Sequence, residues 1–239
     1  MILFRSRHRL LACVTLFWHA HSFSQNTEIL NVYDQSVGVE NLNLNNGRAY
    51  DNPYRVRNGN HQFLATNDYT EGIVFYDGQQ YAEVSLRYDI YHDILMFRPR
   101  NISNNIGTIL EKDRVDSFTI NSKNFVNLNA IASKPDFVSG YYEKCFEAKS
   151  ATLLAKHHKF RKEKHGEGVT YEEFSDDPNF ILSKGGSFFK VNSKSEITAI
   201  FPEQKDRIRD FYQKERDLEK KDKIKFMTNL LRYIDNYSN

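Results

Sequence analysis

The chain has 239 residues, with 33 basic against 31 acidic side chains and a formal charge of +2. That balance lacks the clustered excess of Lys and Arg on which nucleic-acid binding depends, so no nucleic-acid partner is expected. The frequent Tyr and Phe, 14 and 18 of them, supply enough apolar surface for a core without disulfide staples.

Met1 to Ser24 reads as a secretion signal. Arg5, Arg7, His8 and Arg9 precede an apolar run from Leu10 to Trp18, and the small residues Ser22 and Ser24 stand at minus three and minus one before Gln25. The run is about half of the roughly 20 apolar residues that a membrane span needs, so membrane association is expected only through a partner. Leu10-Leu11-Ala12-Cys13 resembles a lipoprotein box, but too little apolar chain lies between Arg9 and Cys13 for a secretion signal to work there. Cleavage before Gln25 removes three arginines and no acid, taking 33 basic residues to 30 against 31 acidic, a net charge of −1. Cys13 and Trp18 leave with the leader. Cys145 is then the lone cysteine, and no internal disulfide can form. The expected location is the periplasm or the cell exterior.

Residues 25–192 read as a β-rich domain. Gly72 to Tyr76 and Gln79 to Val84 flank Asp77-Gly78, a turn pair that accepts the positive φ a two-residue hairpin needs. Leu86, Tyr88 and Ile90 alternate with Arg87, Asp89 and Tyr91, the period of a half-buried strand, and Ile94 to Phe97 returns after a His92-Asp93 turn. Val115 to Ile120 and Phe125 to Leu128 flank Asn121-Ser122-Lys123. Gly140 to Glu147 and Thr152 to Phe160 flank Ala148-Lys149-Ser150, and Phe180 to Lys184 and Ser187 to Val191 flank Gly185-Gly186. These hairpins predict a mainly β, antiparallel meander, closed as a barrel or folded as a sandwich. Residues 193–239 predict a helical pair packed on that domain. Ser195-Glu196 and Pro202-Glu203 mark helix starts, Ile224, Met227, Leu231 and Ile234 share one face, and the charged run Lys214 to Lys225 faces solvent.

Tyr76-Asp77-Gly78-Gln79, Leu86-Arg87-Tyr88-Asp89, Phe137 to Tyr142 and the segment Phe180 to Val191, leading into charged helices, resemble an uncharacterised group of exported β-rich proteins from Bacteroidetes. The resemblance implies an envelope location. It carries over no catalytic residue.

Cys145 with His157 or His158 would be a nucleophile and base if their side chains met. A regular hairpin closing at Lys149 instead sets Cys145 opposite Leu153, with His157 roughly 13 Å further along at about 3.3 Å per residue. His158, His165 and Glu163 are the candidate metal ligands, although no zinc spacing is matched and adjacent strand residues such as His157 and His158 face opposite sides. Asp176, Asp177 and Asn179 hold calcium-type oxygens but lack a bidentate Glu, and Asn43, Asn45 and Gly47 copy a calcium loop without its charges. Asp77, Glu83, Asp89 and Asp93 offer carboxylate pairs of the kind glycoside hydrolysis uses, with nothing to set them apart from surface charge. Tyr50, Tyr54, Tyr69 and Tyr91 lie in or beside loops, where rings stack on sugars or partner chains.

No Gly-x-Ser-x-Gly, His-Glu-x-x-His, phosphate-binding glycine loop or Cys-x-x-Cys is present, which demotes the common hydrolase, metalloprotease, NTPase and thiol-redox classes. No cofactor is expected. The reading favoured is an exported, non-enzymatic binding or accessory protein of the cell envelope with an envelope protein as partner, docking through sheet edges and the helical tail. The alternative is an envelope hydrolase or metal-dependent enzyme acting on glycan or peptide through His158, His165 and Glu163.

Overall fold

Asp77 and Gly78 take φ of 56° and 76° and join β1 (Thr70–Tyr76) to β2 (Gln79–Asp89) in a computed structural model of the chain, which describes residues 43–99, 107–148, 151–166 and 168–237. The expected leader, residues 1–24, and its expected cleavage region lie outside the described residues. Along β2 the buried apolar side chains are Tyr81, Val84, Leu86 and Tyr88. The step of three between Tyr81 and Val84 marks a bulge, where the β1–β2 register shifts between Gly72 and Val74 and Glu83 takes a φ of 54°.

The hairpin logic continues through β3 (Ile94–Arg98), β4 (Thr108–Ile109), β5 (Val115–Ile120), β6 (Lys123–Asn127), β7 (Tyr141–Glu147) and β8 (Ala151–Lys156). After β9 (Lys159–Gly166) and β10 (Val169–Asp176) come β11 (Asn179–Lys184) and β12 (Ser187–Lys190). The described strands form a mainly antiparallel β architecture with two sheets. Ten strands run in the order β12-β11-β8-β7-β6-β5-β1-β2-β3-β4, and β9 pairs only with β10. The large sheet is open, not a closed barrel. It departs from a plain meander twice: β5 returns to the far side of β1, and β8 pairs with β11 across the excursion of β9 and β10.

That excursion corrects the continuous strand expected over Thr152 to Phe160. The carbonyl of His158 accepts the Asp177 N–H at 2.8 Å, which ties off the base of a separate ribbon. β9, mostly exposed, is the first strand of that ribbon. Its cations reach acids of β10 diagonally across the register, as in Arg161 with Glu172 and Lys164 with Glu173.

The C-terminal region holds four helices rather than a pair: α1 (Lys194–Ile200), α2 (Lys205–Lys214), α3 (Arg216–Lys221) and α4 (Lys223–Asp235). Ser193 and Glu196 close a capping box that starts α1. Asp222 interrupts the charged run and caps α4 by accepting the Lys225 N–H at 2.9 Å. Phe226, Met227, Leu230, Leu231 and Ile234 of α4 are buried against Leu153, Ala155, Phe180 and Leu182 of the sheet. Leu154 and Ile181 point to the other face, into a smaller cluster with Leu128, Val138 and Tyr142. Both faces of β8 are thus covered, which is why Ala151 to Ala155 reads as an apolar run. No described helix is long and apolar enough to cross a membrane.

The turn supplies a first test. Gly78→Ala puts a Cβ on a residue at positive φ with no neighbour within 4 Å to clash, so the cost is conformational alone. It is expected to lower stability by about 1 kcal/mol in urea unfolding, with an unchanged m-value.

Candidate functional site

Between α4, the α3–α4 junction and the β6–β7–β8 part of the sheet opens a cleft of about 790 Å³. Its sheet side carries a buried charge network set by strand register. Glu143 of β7 pairs with Phe125 of β6 and Ala155 of β8, so Lys123 and His157, each two residues beyond, lie on the same face as its diagonal neighbours. His157 Nε2 lies 2.5 Å from Glu143 Oε2, and the Lys123 ammonium donates to both carboxylate oxygens at 2.8 and 3.0 Å. Glu143 and His157 are only 8% and 7% exposed. Burial works to raise the Glu143 carboxyl, but the hydrogen bonds from His157 and Lys123 outweigh it and hold the group below its ordinary value.

Cys145 lines the same cleft. The register slips between Lys144 and Phe146, so Cys145 is the bulged residue and Phe146 faces Leu153, correcting the regular pairing of Cys145 with Leu153. Burial, reinforced by the nearby Glu143 charge, pushes its thiol up to about 12. A thiol held there supplies almost no thiolate at neutral pH, so Cys145 is not equipped as a nucleophile.

A second network surrounds Asp89, which is wholly out of solvent. Its carboxylate accepts from the Tyr50 hydroxyl at 2.7 Å and from the backbone of Tyr91 and His92 at 3.0 Å each. It also faces His92 Nδ1 at 2.8 Å. The proton of a neutral His92 therefore sits on Nδ1, leaving Nε2 to accept from the Tyr54 hydroxyl at 2.9 Å. This has the outline of a catalytic relay without its activation. Burial and the neighbouring Tyr91 hold the Tyr54 phenol above its ordinary value, and the ring packs edge-on to Phe174 with centroids 5.2 Å apart. The arrangement latches the chain before β1 onto the β2–β3 turn and the ribbon.

The four loop tyrosines are accordingly occupied. Tyr50 and Tyr54 belong to that latch, Tyr91 packs on His92 and Phe174, and Tyr69 receives the guanidinium groups of Arg87 and Arg98 at 4.3 and 4.7 Å.

Of the candidate metal ligands, the structure brings together His165 and Glu163, 3.3 Å apart on β9 with side chains 73% and 57% exposed. His158 stands seven residues back, roughly 23 Å away at about 3.3 Å per strand residue. It faces Asp177 at 3.9 Å in the cleft. Among the described residues no three metal-ligating side chains cluster. Asp176 and Asp177 line the cleft, while Asn43 and Asn45 lie in a short 3-10 turn. The acids Asp77 and Asp93 are engaged by Arg114 and by Lys112 with Lys156, and Glu83 sits in the β2 bulge.

Sequence reasoning missed Glu143. Its one signal is an acid inside the apolar strand Tyr141-Tyr142-Glu143, and the partners that explain it come from β6 and β8 through a register no local pattern encodes. Comparison of the chain with protein-family models, with curated proteins and with solved structures finds no match.

Proposed function

We propose that the chain is an exported, non-enzymatic binding or accessory protein of the cell envelope, holding a segment of an envelope partner in the cleft beneath α4. The observation that carries this reading is the state of the groups in the cleft. Glu143, His157 and Lys123 satisfy one another, and Cys145 is kept as a thiol, so the floor offers shape and fixed charge with no poised nucleophile. The rim keeps the ammonium groups of Lys220, Lys221 and Lys225, none of them engaged by a described side chain. A volume of about 790 Å³ lies within the roughly 300–1,000 Å³ of ligand-binding clefts. Export rests on the leader of residues 1–24.

The test is site-directed photo-crosslinking in intact cells, with the reactive residue at Lys221 on the rim or at the exposed Asp116 of β5 as a control. One dominant envelope product from Lys221 and none from Asp116 is expected, with the recovered chain beginning at Gln25. Identical products from both positions, or none, would overturn the cleft as the binding surface. A chain retaining Met1, or beginning at Cys13, would overturn the export route.

A further inference from the structure

The ribbon of β9 and β10 has one edge covered and one open. On the β10 edge, Glu172 N–H donates to the Arg55 carbonyl at 2.7 Å. Phe174 gives its N–H to Asn60 Oδ1 at 2.6 Å and receives Asn60 Nδ2 at its carbonyl at 2.8 Å. The backbone groups of Glu172 and Phe174 therefore point away from β9.

In an antiparallel pair, residues directly opposite either exchange both backbone bonds or turn both residues' groups outward, in alternation. Glu172 faces Glu163 and Phe174 faces Arg161, so the N–H and C=O of Arg161 and Glu163 point out of the ribbon, and His165 follows in phase. Among the described residues no backbone group bonds to that edge of β9.

The edge is also charged and partly apolar. Lys159, Arg161, Lys162 and Lys164 lie on β9 with the single acid Glu163; Arg161 and Lys164 are paired with Glu172 and Glu173 of β10, while no described side chain pairs with the Lys162 ammonium. Phe160, 60% exposed, stands beside a hollow of about 390 Å³ shared with Arg57, Tyr171 and Phe174.

We propose that the outer edge of β9 takes up an extended acidic segment of a partner protein as a third strand of the ribbon. Main-chain bonds to Arg161, Glu163 and His165 supply the pairing, and carboxylates on the face of the added strand that lies beside Lys162 and Lys164 supply the selectivity. A second copy of this chain is disfavoured there, because pairing β9 with itself sets lysines and arginines against one another. Lysines on an open edge block neutral and basic strands, which leaves an acidic strand as the one that fits.

The site is separate from the cleft and needs nothing bound there. The test uses residues 25–239 and two labelled decapeptides, one alternating Val and Glu and one alternating Val and Lys, followed by fluorescence anisotropy. The Val-Glu peptide is expected to bind and the Val-Lys peptide to fail, with amide exchange slowing at Arg161, Glu163 and His165 on binding. Glu163→Pro removes an outward donor, at a position where an edge strand tolerates proline, together with the carboxylate beside His165, whose loss alone would favour an acidic peptide; it is expected to weaken binding at least tenfold. The double variant Lys162→Glu, Lys164→Glu leaves the backbone untouched and is expected to reverse the preference toward Val-Lys, which keeps the test decisive if the proline variant unfolds. No binding of Val-Glu, equal binding of both peptides, or an unchanged preference in the double variant would overturn the proposal. Lys221 crosslinks bear on the cleft alone, so the two surfaces can fail separately.

Discussion

Asp93→Ala is expected to destabilise the protein by about 3 kcal/mol in urea unfolding, because it removes the one carboxylate on which three donors gather, leaving the Tyr88 hydroxyl unpaired and Lys156 with the Ser139 carbonyl alone. Asp93 sits at a φ of 59° in the β2–β3 turn and accepts from the Tyr88 hydroxyl at 2.6 Å and from the ammonium groups of Lys112 and Lys156 at 2.7 Å each. Tyr88 is 1% exposed in an edge-to-face stack with Phe118, Phe125 and Tyr141, so its hydroxyl has no solvent to turn to. Burial lowers the Lys156 ammonium below its ordinary value and Asp93 offsets part of that, so loss of the carboxylate leaves a desolvated cation. Gly140 makes the approach possible: a Cβ there would lie 1.8 Å from Asp93 Oδ2 and 2.6 Å from Lys156 Nζ, on a backbone at a φ of 74°. Gly140→Ala should therefore strike the same contact, and the double variant should cost clearly less than the two single losses added together. Additive losses, or a loss below about 1 kcal/mol for Asp93→Ala, would mean that water replaces the carboxylate freely.

The elements legible in the sequence are those whose turns demand rare backbone. Asp77-Gly78, Asn121-Ser122 and Gly185-Gly186 all take positive φ, and each was readable because few residues tolerate that conformation. The β9–β10 ribbon was not legible, since Lys-Phe-Arg-Lys-Glu-Lys reads as a solvated stretch until the acids of β10 are set opposite it. The break at Asp222 hid inside a charged run for the same reason: a cap is a local hydrogen bond, and charge patterning does not report it. The candidate site was least visible. Lys123, Glu143 and His157 meet only through the register of three strands, and the Asp89 latch joins Tyr50 to a residue 39 positions away. Periodicity gives which residues are buried on a strand. It does not give which strands are neighbours.

Glu143→Ala is expected to cost about 3–5 kcal/mol at pH 7, and the cost is expected to depend on pH in a direction set by the carboxyl itself. His157 and Lys123 hold Glu143 below its ordinary value in the folded protein, so the folded state binds that proton less readily than the unfolded chain. The stabilisation is therefore complete above the unfolded carboxyl value of about 4.3 and is lost as pH falls through the depressed folded value. Urea unfolding between neutral and acid pH should show the wild type losing this component while Glu143→Ala, which lacks it, falls less steeply, so the gap between them narrows toward acid. Parallel curves would place the acid-sensitive charge elsewhere. A gap that widened on acidification would mean that burial, not the two donors, governs this carboxyl, and the floor of the cleft would then be a proton-binding site rather than a fixed ion cluster.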